Sequence, residues 1–325
     1  MKELFSSFGQ EQPIPIISEL EKTKEAEFQI HLENERKETR ERFGDLIELV
    51  NRRYEAGSLS SQEITEYKQH NSDILDYAIE LGLKKEFNKE EIKILSMAAI
   101  LHDLTKADQA PPEFSNIKNY SLVIHGQKAA EESREILSDD YLENSGFTNS
   151  DSQNFEKIRD QAAQAIIQHM GPHPGFMTMI LEGVNRALEK ENKSLIKHPP
   201  AEGKISETLL AADMISLASA NGRKKVLNIR AYNDFFLALD KQAVEKYKNK
   251  GINFRAGEAA LLSGFESADQ AIQMIKDQGD KNFIKKLFED SKKIKYRYNS
   301  DLLEVEFQES WQKKEKFEMA ETPLN

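Results

Sequence analysis

Residues 98–106 read Ala-Ala-Ile-Leu-His-Asp-Leu-Thr-Lys. An apolar helix face runs through Leu95 and Ala99 to His102, because these residues recur at helical spacing. We therefore expect His102 at the end of a buried helical stripe, with Asp103 beside it. A buried imidazole or carboxylate is costly unless it is hydrogen-bonded, paired or bound to a metal. The stretch thus indicates a polar site inside a helical core.

Four further helical patterns each place one polar residue on an apolar face. These residues are His70, His125, His169 and Asp213. A single buried histidine is most often structural. Five helices that each deliver such a residue point instead to one shared site. The site is either a hydrogen-bonded cluster or a metal centre of the kind that helical bundles build from inward-facing side chains.

The composition excludes several classes of site. The chain has no cysteine, which rules out disulfides, thiolate nucleophiles and metal sites that need cysteine. Histidine, carboxylate or backbone groups must therefore hold any metal. The formal net charge is −11. We expect no extended nucleic-acid surface, because binding to a phosphate backbone needs clustered positive charge.

Helix follows helix along the 325 residues, which predicts an all-α fold. The content of 15 glycines and 9 prolines is low for a turn-rich β protein. We expect an N-terminal arm with a charged helix at 1–59, a metal-binding helical domain at 60–225 and a C-terminal helical extension at 226–325. Polar residues predict a loop at 138–153, and residues 294–305 also admit a short pairing of strands.

The sequence also bears on location and assembly. No apolar stretch is long enough to span a membrane, and no secretory signal is visible. We therefore expect a cytoplasmic protein. The sequence leaves the oligomeric state open, including a homo-oligomer.

The His-Asp stretch resembles the signature of the HD-domain superfamily of metal-dependent phosphohydrolases. That family has an upstream histidine, an adjacent His-Asp pair and a distal aspartate, in this order. His70, the pair His102–Asp103 and Asp213 match it. Residues 210–216, Leu-Ala-Ala-Asp-Met-Ile-Ser, resemble the family's segment around the distal aspartate. The resemblance extends over about half of the chain.

Two more segments resemble the dinuclear branch of the same family. Ile124-His125-Gly126 is similar to the segment of a third histidine, and residues 166–171 are similar to that of a fourth. Some members have another histidine directly after the fourth, where this chain has Met170.

The resemblance implies an HD-domain helical bundle that holds divalent transition metals, most simply two ions. Imidazole and carboxylate ligands suit iron or manganese best here, with cobalt, nickel and zinc also acceptable. The implied ligands are His70, His102 and Asp213 for one ion and His125 and His169 for the other, with Asp103 as the bridge. A hydroxide between the ions would attack the phosphorus of a phosphate monoester or diester, with a nucleotide as the favoured substrate.

Asp103 and Lys106 are the catalytic residues that the resemblance implies. Lys106 would bind a substrate phosphate and stabilise the charge that develops on it. Arg223 and Lys224 would contact further phosphates, and His173 would line the pocket. Each of these also has a structural interpretation, as a solvated cation or a loop histidine.

Two other functions share this sequence pattern. The same six ligands occur in di-iron oxygenases that resemble the family, and nothing in the sequence separates the two chemistries. The other is a non-catalytic regulator that binds metal or nucleotide. The complete set of candidate ligands argues against a regulator, because a degenerate member need not keep them all.

Overall fold

The computed structural model describes residues 19–57, 59–117, 119–148, 152–171, 176–218, 275–292, 296–299 and 304–307. Within these residues the chain is helical apart from one small hairpin, so the predicted all-α class is confirmed. The helices are α1 (Glu19–Arg42), α2 (Gly44–Ala56), α3 (Ser61–Lys84), α4 (Lys89–Leu101), α5 (Tyr120–Ile136), α6 (Asp139–Asn144), α7 (Ser152–Gln168), α8 (Phe176–Lys190), α9 (Lys204–Ala218) and α10 (Gln278–Lys292). A single 3₁₀ turn, Pro112–Phe114, precedes α5 in this part of the chain.

The α4 helix lies at the centre of the bundle. Its residues from Ile94 to Leu101 are all buried, so it is apolar around its whole circumference, as a core helix must be. It packs against α3, α7 and α9. A capping box starts it, because Asn88 accepts a hydrogen bond from Glu91 N while the Glu91 carboxylate accepts one from Asn88 N.

The helix that carries His70 begins in the same way. Ser60 and Glu63 form the second capping box, which fixes the first turn of α3. At the other end of the helix, Lys85 forms an ion pair with the buried Asp280, at 2.5 Å, and so joins α3 to α10. The C-terminal helix thus packs on the bundle through both apolar and ionic contacts.

Two local predictions need correction. The charged helix expected within 1–59 is two helices, because the fully buried Phe43 interrupts it between α1 and α2. The loop expected at 138–153 contains α6, whose N-terminus is capped by the Ser138 hydroxyl and whose Leu142 is buried. A stretch this polar gives too weak a periodic signal to reveal a six-residue helix.

The hairpin consists of β1 (Tyr296–Asn299) and β2 (Glu304–Phe307), which pair antiparallel with Tyr296 opposite Phe307. It falls where the sequence admits a pairing of strands. Among the described residues, no helix combines the length and the apolar character that a membrane crossing requires.

Candidate metal centre

Five helices bring the predicted polar residues to one place. His70 comes from α3, His125 from α5 and Asp213 from α9. His102 and Asp103 follow the last residue of α4, and His169 follows the last residue of α7. All six residues are buried, and none is more than 8% exposed as a whole residue. The residues concerned are His70, His102, Asp103, His125, His169 and Asp213.

Asp103 lies between two pairs of histidines. Its Oδ2 atom is 3.6 Å from Nε2 of His70 and 3.4 Å from Nε2 of His102. Its Oδ1 atom is 3.0 Å from Nε2 of His125 and 3.8 Å from Nε2 of His169. Each carboxylate oxygen therefore faces its own pair of imidazole nitrogens.

Asp213 lies on the Oδ2 side of this arrangement, with its Oδ1 atom 3.5 Å from Nε2 of His70. Ligand atoms of His70, His102 and Asp213 are all within 4.8 Å of one another, and so are those of His102, Asp103 and His169. The first group is the one that the resemblance assigns to a single ion. These buried groups could hold a metal ion.

Backbone carbonyls fix the orientation of three of the imidazoles. In each case Nδ1 lies against the carbonyl oxygen of the residue three positions earlier. The pairs are His102 with Ala99 at 2.7 Å, His125 with Leu122 at 2.7 Å and His169 with Ile166 at 2.5 Å. A carbonyl only accepts, so Nδ1 must carry the proton in each neutral ring and Nε2 must keep its lone pair. This is the tautomer that a metal ligand needs.

Several buried atoms of the cluster lack hydrogen-bond partners. They are Nε2 of His102, Nε2 of His125 and Oδ1 of Asp103. The 3.0 Å contact between Asp103 and His125 does not have hydrogen-bond geometry. Buried polar atoms without partners are rare in native proteins, and an ion at the site is a standard explanation. The chemistry of these donors fits a metal.

Electrostatics favour the ligating forms of two of these groups. Burial opposes ionisation of Asp103, but neighbouring positive charge, first of all that of Lys106, outweighs it and holds the pKa of Asp103 well below its usual value. Burial and the neighbouring histidines lower the pKa of His169, which keeps that ring neutral at pH 7. Metal binding requires an ionised carboxylate and a neutral imidazole.

Lys106 lies beside the cluster, as its spacing predicts. Its Nζ atom is 2.5 Å from Oδ2 of Asp103 and 5.4 Å from the centre of the Tyr67 ring. Burial lowers the pKa of Lys106, but Asp103, Tyr67 and Asp213 together outweigh it and raise the pKa above its usual value, so the amine stays protonated. It is one positive charge at the edge of an otherwise acidic and imidazole-rich site.

Three supporting residues are not among the predicted site residues, although Thr105 and Ser216 lie within the stretches that resemble the family. Asn71 donates a hydrogen bond to the Ile100 carbonyl at 3.0 Å and so satisfies the end of α4 beside His102. The Thr105 hydroxyl donates to the His125 carbonyl at 2.9 Å, which ties the His-Asp turn to α5. The Ser216 hydroxyl lies against Nδ1 of His70.

We compared the chain with protein-family models, curated proteins and solved structures. None of the three comparisons returned a match.

The remaining predicted site residues lie outside the described part of the chain. They are His173, Arg223 and Lys224. Their roles stay predictions. His198, by contrast, is described: it lies half-buried with its Nε2 atom 2.8 Å from the Val123 carbonyl, away from the surface position that an isolated loop histidine suggests.

Proposed function

We propose that this chain is an HD-type phosphohydrolase that uses two divalent metal ions to cleave a phosphate monoester or diester, with a nucleotide as the favoured substrate. The observation that supports this most is the position of Asp103 between two histidine pairs. One carboxylate that faces two sets of nitrogen ligands is suited to bridge two ions. A site for one ion would need only one of these sets.

The proposed ligands are those that the resemblance implies. The first ion would take His70, His102 and Asp213, and the second His125 and His169, with Asp103 shared between them. Both ions would be iron or manganese, which suit such nitrogen and oxygen ligands. When bound, two such ions polarise a phosphoryl oxygen and lower the pKa of a water molecule, so that it becomes a nucleophile at neutral pH.

The protein's own groups would bind and orient the substrate. Lys106 is protonated and lies within reach of any anion that approaches Asp103. Its charge would attract a phosphate and stabilise the negative charge that grows on the phosphoryl oxygens as the bond to the leaving group breaks. The imidazoles of the site are buried, and exclusion of water from such surroundings would strengthen these interactions.

Metal analysis of the purified chain followed by a panel of nucleotides and phosphoesters tests the proposal. We expect bound iron or manganese and release of phosphate or of a nucleotide product. His102→Ala and Asp103→Ala should each lose both metal and turnover. His198→Ala is the matched control, since that histidine bonds to a backbone carbonyl outside the cluster. It should keep both.

The panel also separates the two other functions. Oxygen consumption with a mixed-valent iron signal, and no phosphate release without oxygen, would identify an oxygenase. Nucleotide binding by the metal-loaded protein without any turnover would identify a regulator. Full activity in Asp103→Ala would contradict the proposed hydrolase.

A further inference from the structure

The C-terminal end of α2 lies directly on the His-Asp turn. The Arg53 guanidinium binds both carboxylate oxygens of Asp108, with Nε 2.8 Å from Oδ1 and an Nη atom 2.7 Å from Oδ2. At Gly57, a Cβ atom would lie 2.8 Å from the Cβ of Ala107. A helix from outside the His-Asp motif therefore forms one wall of the turn that holds Asp103.

Tyr54 lies between these two contacts and points into the interior. It is 0% exposed, and its hydroxyl has no hydrogen-bond partner. Its ring centre is 5.7 Å from that of Tyr67, and the Nζ atom of Lys106 is 5.4 Å from the centre of the same Tyr67 ring. Because Lys106 also contacts Asp103, Tyr54 belongs to the same group of packed residues.

The Tyr54 hydroxyl is a hydrogen-bond donor in this environment. Burial, together with the charge of Asp103, raises the pKa of Tyr54 well above its usual value, so the phenol keeps its proton at any physiological pH. A buried donor without an acceptor destabilises the folded protein. Such a group needs an explanation, and one explanation is that this hydroxyl binds a ligand.

Full burial does not by itself separate Tyr54 from the proposed site. Tyr54 is as buried as His102 and Asp103, which the proposed function already places in contact with metal ions. A protonated phenol is a poor metal ligand, but it is a good donor to an anionic oxygen. A phosphoryl group brings only acceptors, and the described part of the site offers it Lys106 as a charged donor.

We propose that the Tyr54 hydroxyl donates a hydrogen bond to an oxygen of the bound phosphoryl group, which makes Tyr54 a substrate-binding residue supplied by α2. This inference rests on the proposed function, because it takes a phosphate as the ligand of the site. Tyr54 adds a donor on the side of the Asp103–Lys106 pair that faces α2. It does so without bringing a further charge into the interior, which would itself be costly.

Calorimetric titration of the full, manganese-loaded chain with inorganic phosphate tests the inference. Tyr54→Phe removes only the hydroxyl and keeps the ring that packs on Tyr67. We expect phosphate affinity to fall by between about tenfold and about 100-fold, the equivalent of one hydrogen bond to a charged acceptor. Metal content should be unchanged, and the melting temperature should be equal or higher, because the lost hydroxyl has no partner within the protein.

Tyr141→Phe is the matched control. Its hydroxyl contacts Asp45 at 3.1 Å, far along α2 from Tyr54. This variant should lower the melting temperature slightly and leave phosphate affinity unchanged.

Each other outcome decides the matter. Equal phosphate affinity in Tyr54→Phe and the unchanged chain would overturn the role of Tyr54 and leave the proposed function standing. Loss of folding or of metal in Tyr54→Phe would also overturn it, by showing that the hydroxyl has a structural partner. If the unchanged chain binds manganese but no phosphate, the proposed function and this inference both fail.

Discussion

The Ser216 hydroxyl lies 2.9 Å from Nδ1 of His70, and this contact joins α9 to α3 across 146 positions of sequence. When Nδ1 donates to Ser216, Nε2 keeps its lone pair on the side of Asp103 and Asp213. Ser216 thus fixes the orientation of the His70 ring, as backbone carbonyls fix the other three histidines of the cluster. All four rings therefore present Nε2 to Asp103 at the centre of the cluster.

Ser216→Ala should therefore weaken metal binding. Loss of a hydrogen bond that orients a ligating histidine typically costs about 10-fold to about 100-fold in metal affinity. Titration with manganese measures it. Ser96→Ala is the control, because Ser96 is also fully buried but its hydroxyl has no hydrogen-bond partner. Equal manganese affinity in the two variants would contradict a role for Ser216.

Gly126 allows α5 and α7 to approach each other beside the second pair of histidines. A Cβ atom at this position would lie 2.7 Å from Cγ of Met170 and 3.3 Å from Cε1 of His169. Gly126→Ala should therefore displace His169 and reduce the number of manganese ions bound per chain from two towards one. Metal analysis after gel filtration measures the ratio.

The control for that variant is Gly183→Ala in α8. A Cβ atom there meets nothing within 4 Å. Alanine is favoured over glycine inside a helix by about 1 kcal/mol, so this variant should be more stable than the parent and keep its metal. If Gly126→Ala behaved in the same way, the close approach of the two helices would have no functional consequence.

Much of the cluster could be predicted because each member interrupts an apolar helix face. His102 and Asp213 stand among residues such as Leu95 and Leu209 that are fully buried, and a polar side chain in such surroundings needs a partner. The spacing of apolar residues reveals such a polar side chain within a single helix. The order of the residues along the chain then suggests the shared site.

The contacts between distant segments could not be predicted in this way. Nothing in the sequence links Ser216 to His70 or Arg53 to Asp108, because such pairs depend on how the helices pack. Gly126 shows the same limit, since its missing side chain matters only where a second helix approaches. The contact of α2 with the His-Asp turn is a further case, because the periodic pattern of α2 shows only that the helix has an apolar face.

Glu91 should make stability depend on pH in the acidic range. Its carboxylate accepts from Asn88 N in the capping box and pairs with Lys204, the first residue of α9. Burial raises the pKa of Glu91, but the contacts with Lys204 and Asn88 together outweigh it and lower the pKa below its ordinary value of 4.5. The ionised form therefore stabilises the fold above the unfolded pKa, and this contribution disappears as the pH falls through the lowered folded pKa.

Glu91→Gln should lower the free energy of unfolding by less than about 1 kcal/mol at neutral pH, as expected for a pair near the surface. Parent and variant should converge once the pH is below the folded pKa of Glu91. Urea unfolding over the acidic range measures both. Glu90→Gln, an exposed change of the same charge in the same turn, leaves the Lys204 contact intact and should not reproduce this convergence. A constant difference at every pH would contradict the assignment.

The Arg53–Asp108 pair should affect turnover more than stability. The pair is exposed on the arginine side, so its loss should cost at most about 1 kcal/mol of stability. Asp108 ends the turn that carries Asp103 and Lys106, and small displacements of reacting groups can cost about 100-fold in rate. Arg53→Ala should therefore lower kcat by about tenfold or more with metal content unchanged.

Two further variants separate positioning from a general loss of stability. Arg53→Lys keeps the charge but not the two parallel hydrogen bonds, so it should recover only part of kcat. Arg134→Ala removes a pair with Asp160 that joins α5 to α7 away from the turn. Its arginine is about as exposed as Arg53 and its carboxylate is more exposed than that of Asp108, so this variant should lower the melting temperature slightly while leaving kcat intact. Steady-state kinetics and thermal unfolding on the same preparations measure both quantities. If kcat falls in proportion to stability in all three variants, Arg53 does no more than hold the fold together, and α2 does not position the His-Asp turn.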